Sequence, residues 1–242
     1  TQTGPDFFFD TIGAQARQFE AIANSTSLED MFDRLEACGY FLRLDPDVRP
    51  SMFHGATVSQ REVEELRRVR NVIRKGRVKT ITADRVILDE GEIAITPDTV
   101  LVDCAARAVT NDAIVPVFQG DRLVLQMVRS YQPVFSAAFI AHIEAAYEAE
   151  AEQNRLCAVV PLPNHDTDYI RFTAAYMMNQ YNWSQIPELR AWLRENRLDG
   201  FSKLLSEIGP EDTEKTALLQ SMRQTAPAAV AKLFEYMQAL DD

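Results

Sequence analysis

Few residue groupings in this 242-residue chain have a type and spacing suited to chemistry. Cys104 closes the apolar run Thr99-Val100-Leu101-Val102 and is followed by the small residues Ala105 and Ala106. A thiol there can act in redox chemistry, but no resolving cysteine lies nearby, and a lone Cys at a strand end reads more simply as a small buried hydrophobe. Asp103 can bind a ribose hydroxyl or cap the N–H groups of the following loop, and the cap is the simpler role. His142 and Glu144 form the H-x-E of zinc deaminases, yet P-C-x-x-C is missing and positions i and i+2 of a helix point apart. His165, Asp166 and Asp168 offer ligands or a base, but Asn164 to Asp168 reads more simply as a loop with a helix N-cap. His54, beside Gly55, has no paired motif and reads as a solvent-facing or locally bonded histidine. Ser136 lacks the G-x-S-x-G of a hydrolase and suits helix capping or a cofactor hydrogen bond. No residue takes the role of catalytic acid, base or nucleophile from sequence alone.

Composition narrows the classes. Lys and Arg total 25 against 36 Asp and Glu, a formal charge of -11, which opposes general nucleic-acid binding. The segment from Arg61 to Lys79 is locally basic and could meet an NADP phosphate or RNA, but Glu62, Glu64 and Glu65 supply helical charge pairs and make it a solvated face. The nine glycines form no G-x-G, so neither the Rossmann fingerprint nor the P-loop is present. Cys38, Cys104 and Cys157 are widely spaced, without C-x-x-C, and fit a reducing cytoplasm. No apolar run approaches the roughly 18 residues of a membrane span. The chain starts at Thr1 with no basic targeting region, which suits a processed protein or a piece of a longer one.

The elements that must position these residues follow from periodicity. Phe19, Ile22 and Ala23 predict a first helix, Ser27 caps a second with Met31, Phe32 and Leu35 on its apolar face, and Gly39 stops it. Tyr40 to Leu44 is a strand candidate, and Ser59 with Glu62 opens another helix through Val63, Leu66 and Val69. Residues 71 to 95 predict short strands at hairpin spacing, turning at Gly76, Ala83-Asp84 and Glu90-Gly91. Thr99 to Val102 then suits a strand buried on both faces. A hairpin follows around Gln119-Gly120-Asp121, and Pro133 opens a helix with Phe135, Phe139, Ile143 and Tyr147 in register. From Asp166 onward the pattern is helical: Pro187 starts one helix, and separate helices carry Leu218, Leu219 and Met222, then, from near Pro227, Val230, Leu233, Phe234 and Met237. Trp183, Trp192, Tyr176 and Tyr181 fit core packing more simply than ring stacking on a ligand.

The stretch VIRKGRVKTITADRVILDEGEIAITPDTVLVDCAA resembles the late part of the FAD-binding domain of flavin-dependent NAD(P)H oxidoreductases. There a three-stranded meander feeds a strand ending in A-T-G or C-T-G; Cys104-Ala105-Ala106 stands in that place, with Ala106 where the family has glycine. Small residues at such a strand end let backbone approach a cofactor. FQGDRLVLQMVRSYQPVFSAAFIAHIEA looks like the segment that returns to the flavin and opens a helix toward it, the N-terminus of which favours electron-rich or anionic groups. Together with RLDGF at Arg197 to Phe201, these words resemble the C-terminal part of a group of bacterial FAD/NAD(P)-binding proteins, over residues 20 to 205 in layout.

The resemblance implies an α/β or α+β chain. An incomplete FAD-binding-type domain would cover 1–130, with meander and buried strand, followed by a helical C-terminal subdomain over 131–242. Cys104, Ala105, Ala106, Gln132, Phe135 and Ser136 would lie near FAD, NAD(P)H would be the cosubstrate beside a small-molecule substrate, and a separate N-terminal dinucleotide-binding region would supply the phosphate grip. Tight FAD binding by this chain alone is then not expected. The rival expectation is a non-catalytic α+β interaction domain whose helical half packs on a partner through aromatic and Leu-rich faces.

Overall fold

The computed structural model describes residues 7–105 and 113–241, which form mixed α/β structure in two units, Thr1–Val58 with Ala113–Asp242, and Ser59–Asp112. The discontinuous unit is built on helices. α1 (Phe8–Ala23) and α2 (Leu28–Ala37) meet at a turn where Ser27 Oγ accepts from Asp30 N at 3.1 Å. Asp30 Oδ2 returns a bond to Thr26 N at 2.8 Å, one residue earlier than a full capping box would place it. Gly39, at φ +75°, ends α2, and the amides of Tyr40 and Phe41 both close back on Leu35 O at 3.0 Å. That closure explains why the expected strand at Tyr40 to Leu44 does not form. Its amides serve the helix end, and Phe41 turns into a cluster with Phe32, Phe53 and Tyr169.

Two helices complete this first core. α6 (Asp168–Ser184) buries Tyr169, Ile170, Phe172, Ala174 and Met177, and α9 (Thr213–Asp241) adds Ala229, Leu233 and Tyr236, against Ile22, Met31 and Leu35. Each fully buried aliphatic side chain contributes about 1.5–3 kcal/mol. The two helices expected on either side of Pro227 are one continuous helix. Proline removes one N–H and crowds the preceding turn. Met222 and Ala226 before it and Ala229 and Leu233 after it nevertheless pack on the same core, and that shared face holds the helix through the break.

A second core surrounds α4 (Pro133–Ala146), with Phe135, Phe139, Ile140 and Ile143 against Trp183, Leu189 and Leu193. Around it lie the two-residue hairpin strands β4 (Phe118–Gln119) and β5 (Arg122–Leu123), α5 (Glu150–Leu156) and α7 (Pro187–Glu195), while α8 (Gly200–Ser206) packs Leu204 with Phe8 and Ile12 of α1 in a third cluster. Pro133 and Pro187 stand in the first turns of their helices as their missing N–H groups favour.

In the other unit α3 (Gln60–Leu66) has a complete capping box between Ser59 and Glu62. The meander is present as β1 (Val78–Ile81), β2 (Arg85–Leu88) and β3 (Gly91–Ala94), antiparallel in that order, with Val86 and Leu88 buried. Val72-Ile73 adds no strand. The buried strand expected at Thr99 to Val102 is also not formed: Val100 is 84% and Val102 76% exposed, and no described residue pairs with them in a ladder. A doubly buried strand requires neighbours on both edges to take its amides and carbonyls, and the described residues supply none. Among the described residues no helix is long and apolar enough to cross a membrane.

Gly55 is required by space as well as by conformation. Gly55 has φ +66°, and a Cβ on it would stand 2.0 Å from Tyr131 Cε2, whose ring packs on the first core. Gly55→Ala is therefore expected to destabilise the chain by about 1–3 kcal/mol, seen as a lower urea midpoint with an unchanged slope.

Candidate functional site

Residues 127–131 cross the interior of the helical unit as irregular backbone between the β4–β5 hairpin and α4. Their polar groups are paired one at a time. Met127 O accepts from Val160 N at 2.7 Å, Val128 N donates to Ser136 Oγ at 3.2 Å, and Val128 O accepts from Asn179 Nδ2 at 2.8 Å. Asn179 Nδ2 also reaches Ala158 O at 2.7 Å, so one buried amide on α6 ties two segments. Ser130 follows with φ +39°, the one non-glycine positive φ among the described residues. A polar residue held in that region marks a place where surrounding structure overrides backbone preference.

Between these constraints lies Arg129, 2% exposed. Its Nη2 donates to Asp199 Oδ1 at 3.0 Å, and both side chains are buried to the same degree. The guanidinium carbon sits 4.5 Å from the ring centroid of Phe135 and 5.5 Å from that of Phe201. Asp199 Oδ1 accepts a second bond, from Phe201 N at 3.1 Å, which caps α8. Two sequence words seventy residues apart, MVRSYQPVF and RLDGF, thus meet in one buried ion pair with an aromatic ring from each. Burying such a pair costs several kcal/mol per ion in desolvation, offset only by good geometry and further hydrogen bonds. The compensation here is incomplete: Nε and Nη1 of Arg129 have no hydrogen-bond partner among the described residues.

The expected cofactor residues divide between the two units. Gln132, Phe135 and Ser136 lie at the start of α4, whereas Cys104 and Ala105 belong to Ser59–Asp112, and Ala106 lies outside the described residues. Gln132 is the α4 N-cap; its carbonyl accepts from Ser136 N at 2.9 Å, and its side chain makes no capping bond. Phe135 and Ser136 are buried and already engaged, one with Arg129, Phe139, Trp183 and Trp192, the other with Val128 N. Their position supports the site through packing instead of presenting a free surface. Cys104 is exposed, not the small buried hydrophobe its apolar approach suggests, because the strand meant to bury it is not formed. Asp103 takes the capping role, accepting from Ala105 N at 2.8 Å. Arg129, Asp199 and Asn179 were not anticipated; their available signal was a charged or amide residue inside otherwise apolar or helix-starting words.

The remaining candidates resolve into local structure. His142 stacks on Trp192 at 4.7 Å between ring centroids, and partial burial pushes its pKa down. Asp168 Oδ2 accepts from the amides of Asn164 and His165 at 3.0 and 2.9 Å, and His54 Nε2 bonds Asn164 Oδ1 at 3.1 Å. Among the described residues no group of three or more His, Cys, Asp and Glu side chains is placed to hold a metal ion. A groove of about 340 Å³ beside Leu28, Phe32 and Thr167 contains charges that answer each other, Arg49 Nη1 lying 3.0 Å from Glu29 Oε1.

Uncharacterized proteins of Mycobacterium tuberculosis and Mycobacterium bovis are 41% identical to this chain over 237 residues, 97% of its length. The match covers 44% of theirs, so the chain spans less than half the length of these curated relatives. No family model matches the chain, and no solved structure matches it.

Arg129→Met, which strands Asp199 without its cation, is expected to cost about 3–5 kcal/mol in chemical denaturation, and adding Asp199→Asn should recover part of that loss. An additive double mutant would mean that the pair is not coupled. The thiols give an independent check on burial. Burial pushes the Cys157 thiol up to about 12, so at neutral pH iodoacetamide should label exposed Cys104 first and Cys157 only on unfolding, as read by peptide mass spectrometry.

Proposed function

We propose that this chain is the C-terminal part of a flavin-dependent, NAD(P)H-linked oxidoreductase, completed by a dinucleotide-binding region of the same longer protein. The observation that carries this reading is the apolar run Val100-Leu101-Val102, exposed directly after a three-stranded antiparallel meander. A run of that composition, leading to the small residues Cys104 and Ala105, suits the strand that enters a parallel sheet and delivers backbone to a cofactor. The relatives have more than half their length beyond the match, enough for a region carrying the phosphate-binding turn.

The residues fit such a cofactor in part. Cys104 and Ala105 are exposed in the Ser59–Asp112 unit and can approach a ligand there, and in the other unit Gln132 has a side chain without a capping bond. Phe135 and Ser136 fix the start of α4, and with it the direction of the helix dipole. FAD, when bound, supplies the hydride chemistry with NAD(P)H as donor, while the protein positions it and excludes water.

The same exposed apolar surface also favours a second reading, a non-catalytic α+β domain that docks on a partner protein. One measurement separates the two. The complete reading frame encoding this chain, purified with FAD in the medium, should be yellow, with flavin bands between about 350 and 500 nm that NAD(P)H bleaches. A colourless full-length protein indifferent to added FAD would sink the flavoprotein reading and leave the interaction domain.

A further inference from the structure

An arginine side chain carries five N–H donors in one plane and cannot shed its charge in a protein. Arg129 spends one bond on Asp199 and has the rings of Phe135 and Phe201 within 4.5 and 5.5 Å of its guanidinium carbon, while Nε and Nη1 have no hydrogen-bond partner among the described residues. Two buried nitrogens without acceptors are a cost that ordinary core packing selects against.

The start of α4 adds a second, independent source of positive potential beside them. Pro133 opens the helix, Gln132 makes no side-chain capping bond, and no acidic residue stands in the first turn. Pro133 has no N–H and Ser136 N bonds Gln132 O, so the amides of Val134 and Phe135 are those that present the positive end of the dipole without an intrahelical partner. Asp199 does not balance this inventory, because its Oδ1 is shared with Phe201 N at the start of α8. One more negatively charged acceptor, with at least two oxygens for Nε and Nη1, would complete the arrangement.

We propose that Arg129, with the start of α4, binds an oxyanion, a phosphate or carboxylate group of a ligand, held on Nε and Nη1 beside Phe135 and Phe201. Arginine suits this class because its planar fork matches two oxygens of such a group. Entry requires α8 to move, since the Phe201 ring lies over Arg129; α8 starts at Gly200, immediately after the Asp199 anchor, and packs through Leu204, Phe201 and Leu205 on a cluster with Phe8 and Ile12. This inference does not rest on the flavin reading, because it needs only the oxyanion.

The test titrates the full chain with sodium phosphate and with sodium acetate, each against sodium chloride at equal ionic strength, following Tm and hydrogen exchange. A ligand of the folded state raises Tm in proportion to its occupancy. Phosphate or acetate should raise Tm beyond chloride and slow exchange in residues 197–206, the stronger of the two identifying the group. Arg129→Lys, which keeps the charge and loses the fork, should weaken the response about tenfold, and Asp199→Asn, which removes a competing anion, should strengthen it about tenfold. If wild-type protein gains no Tm over chloride, or gains Tm without protection of 197–206, the proposal is overturned. The same holds if both variants respond as the wild type does.

Discussion

The backbone of residues 127–131 runs through the protein interior with no strand beside it, and the second core depends on how that segment's polar groups are satisfied. A sheet would pair them in a ladder; here the partners are side chains and distant amides. Asn179 takes Val128 O, Ser136 takes Val128 N, and Val160 N takes Met127 O. Trp183 extends the pattern by donating its indole N–H to Leu156 O at 2.8 Å while its ring packs on Phe139. Each of these bonds adds about 1 kcal/mol when made, and each leaves a larger desolvation cost when one partner is lost. The buried amide and indole therefore select one packing of α4, α5 and α6 among the several that apolar contacts alone would tolerate.

Arg129 belongs to this segment and explains its strictness. Its side chain reaches Asp199 and lies 4.5 Å from the Phe135 ring centroid, next to Ser130 with its positive φ and ahead of the α4 start at Pro133. The ion pair in turn fixes the start of α8 through Phe201 N. A single charged side chain thus links a loop, a long helix and a short one. The Ser59–Asp112 unit has the opposite character. Its meander buries Val86 and Leu88 and leaves Val78 and Ile81 exposed, and the run Val100 to Val102 after it is exposed as well.

Local elements were legible where the signal was covalent or short-range. Ser59 and Glu62, Ser27, Gly39, Pro133 and Pro187 mark helix ends through hydrogen bonds or dihedral limits acting within four residues, and each stands where its chemistry places it. The meander was legible for the same reason, through turns at Ala83-Asp84 and Glu90-Gly91. The misreadings share one cause. Thr99 to Val102 has strand composition without strand neighbours, Tyr40 and Phe41 give their amides to a helix end, and Pro227 is overruled by core contacts on both sides. In each case a partner distant in sequence, or the lack of one, outweighed propensity.

Alone, the sequence determined the helix starts and stops, the apolar faces of α1, α2, α4 and α6, and the antiparallel order of β1 to β3, because these follow from periodicity and nearest-neighbour chemistry. It also contained the two words around Arg129 and Asp199, but as unrelated phrases. Only the tertiary structure decided that they meet, that Phe135 and Ser136 serve the interior, and that Cys104 faces solvent. The physical reason is that burial of a charge depends on what surrounds it in space. An arginine and an aspartate seventy positions apart carry no sign of each other until the chain between them has folded.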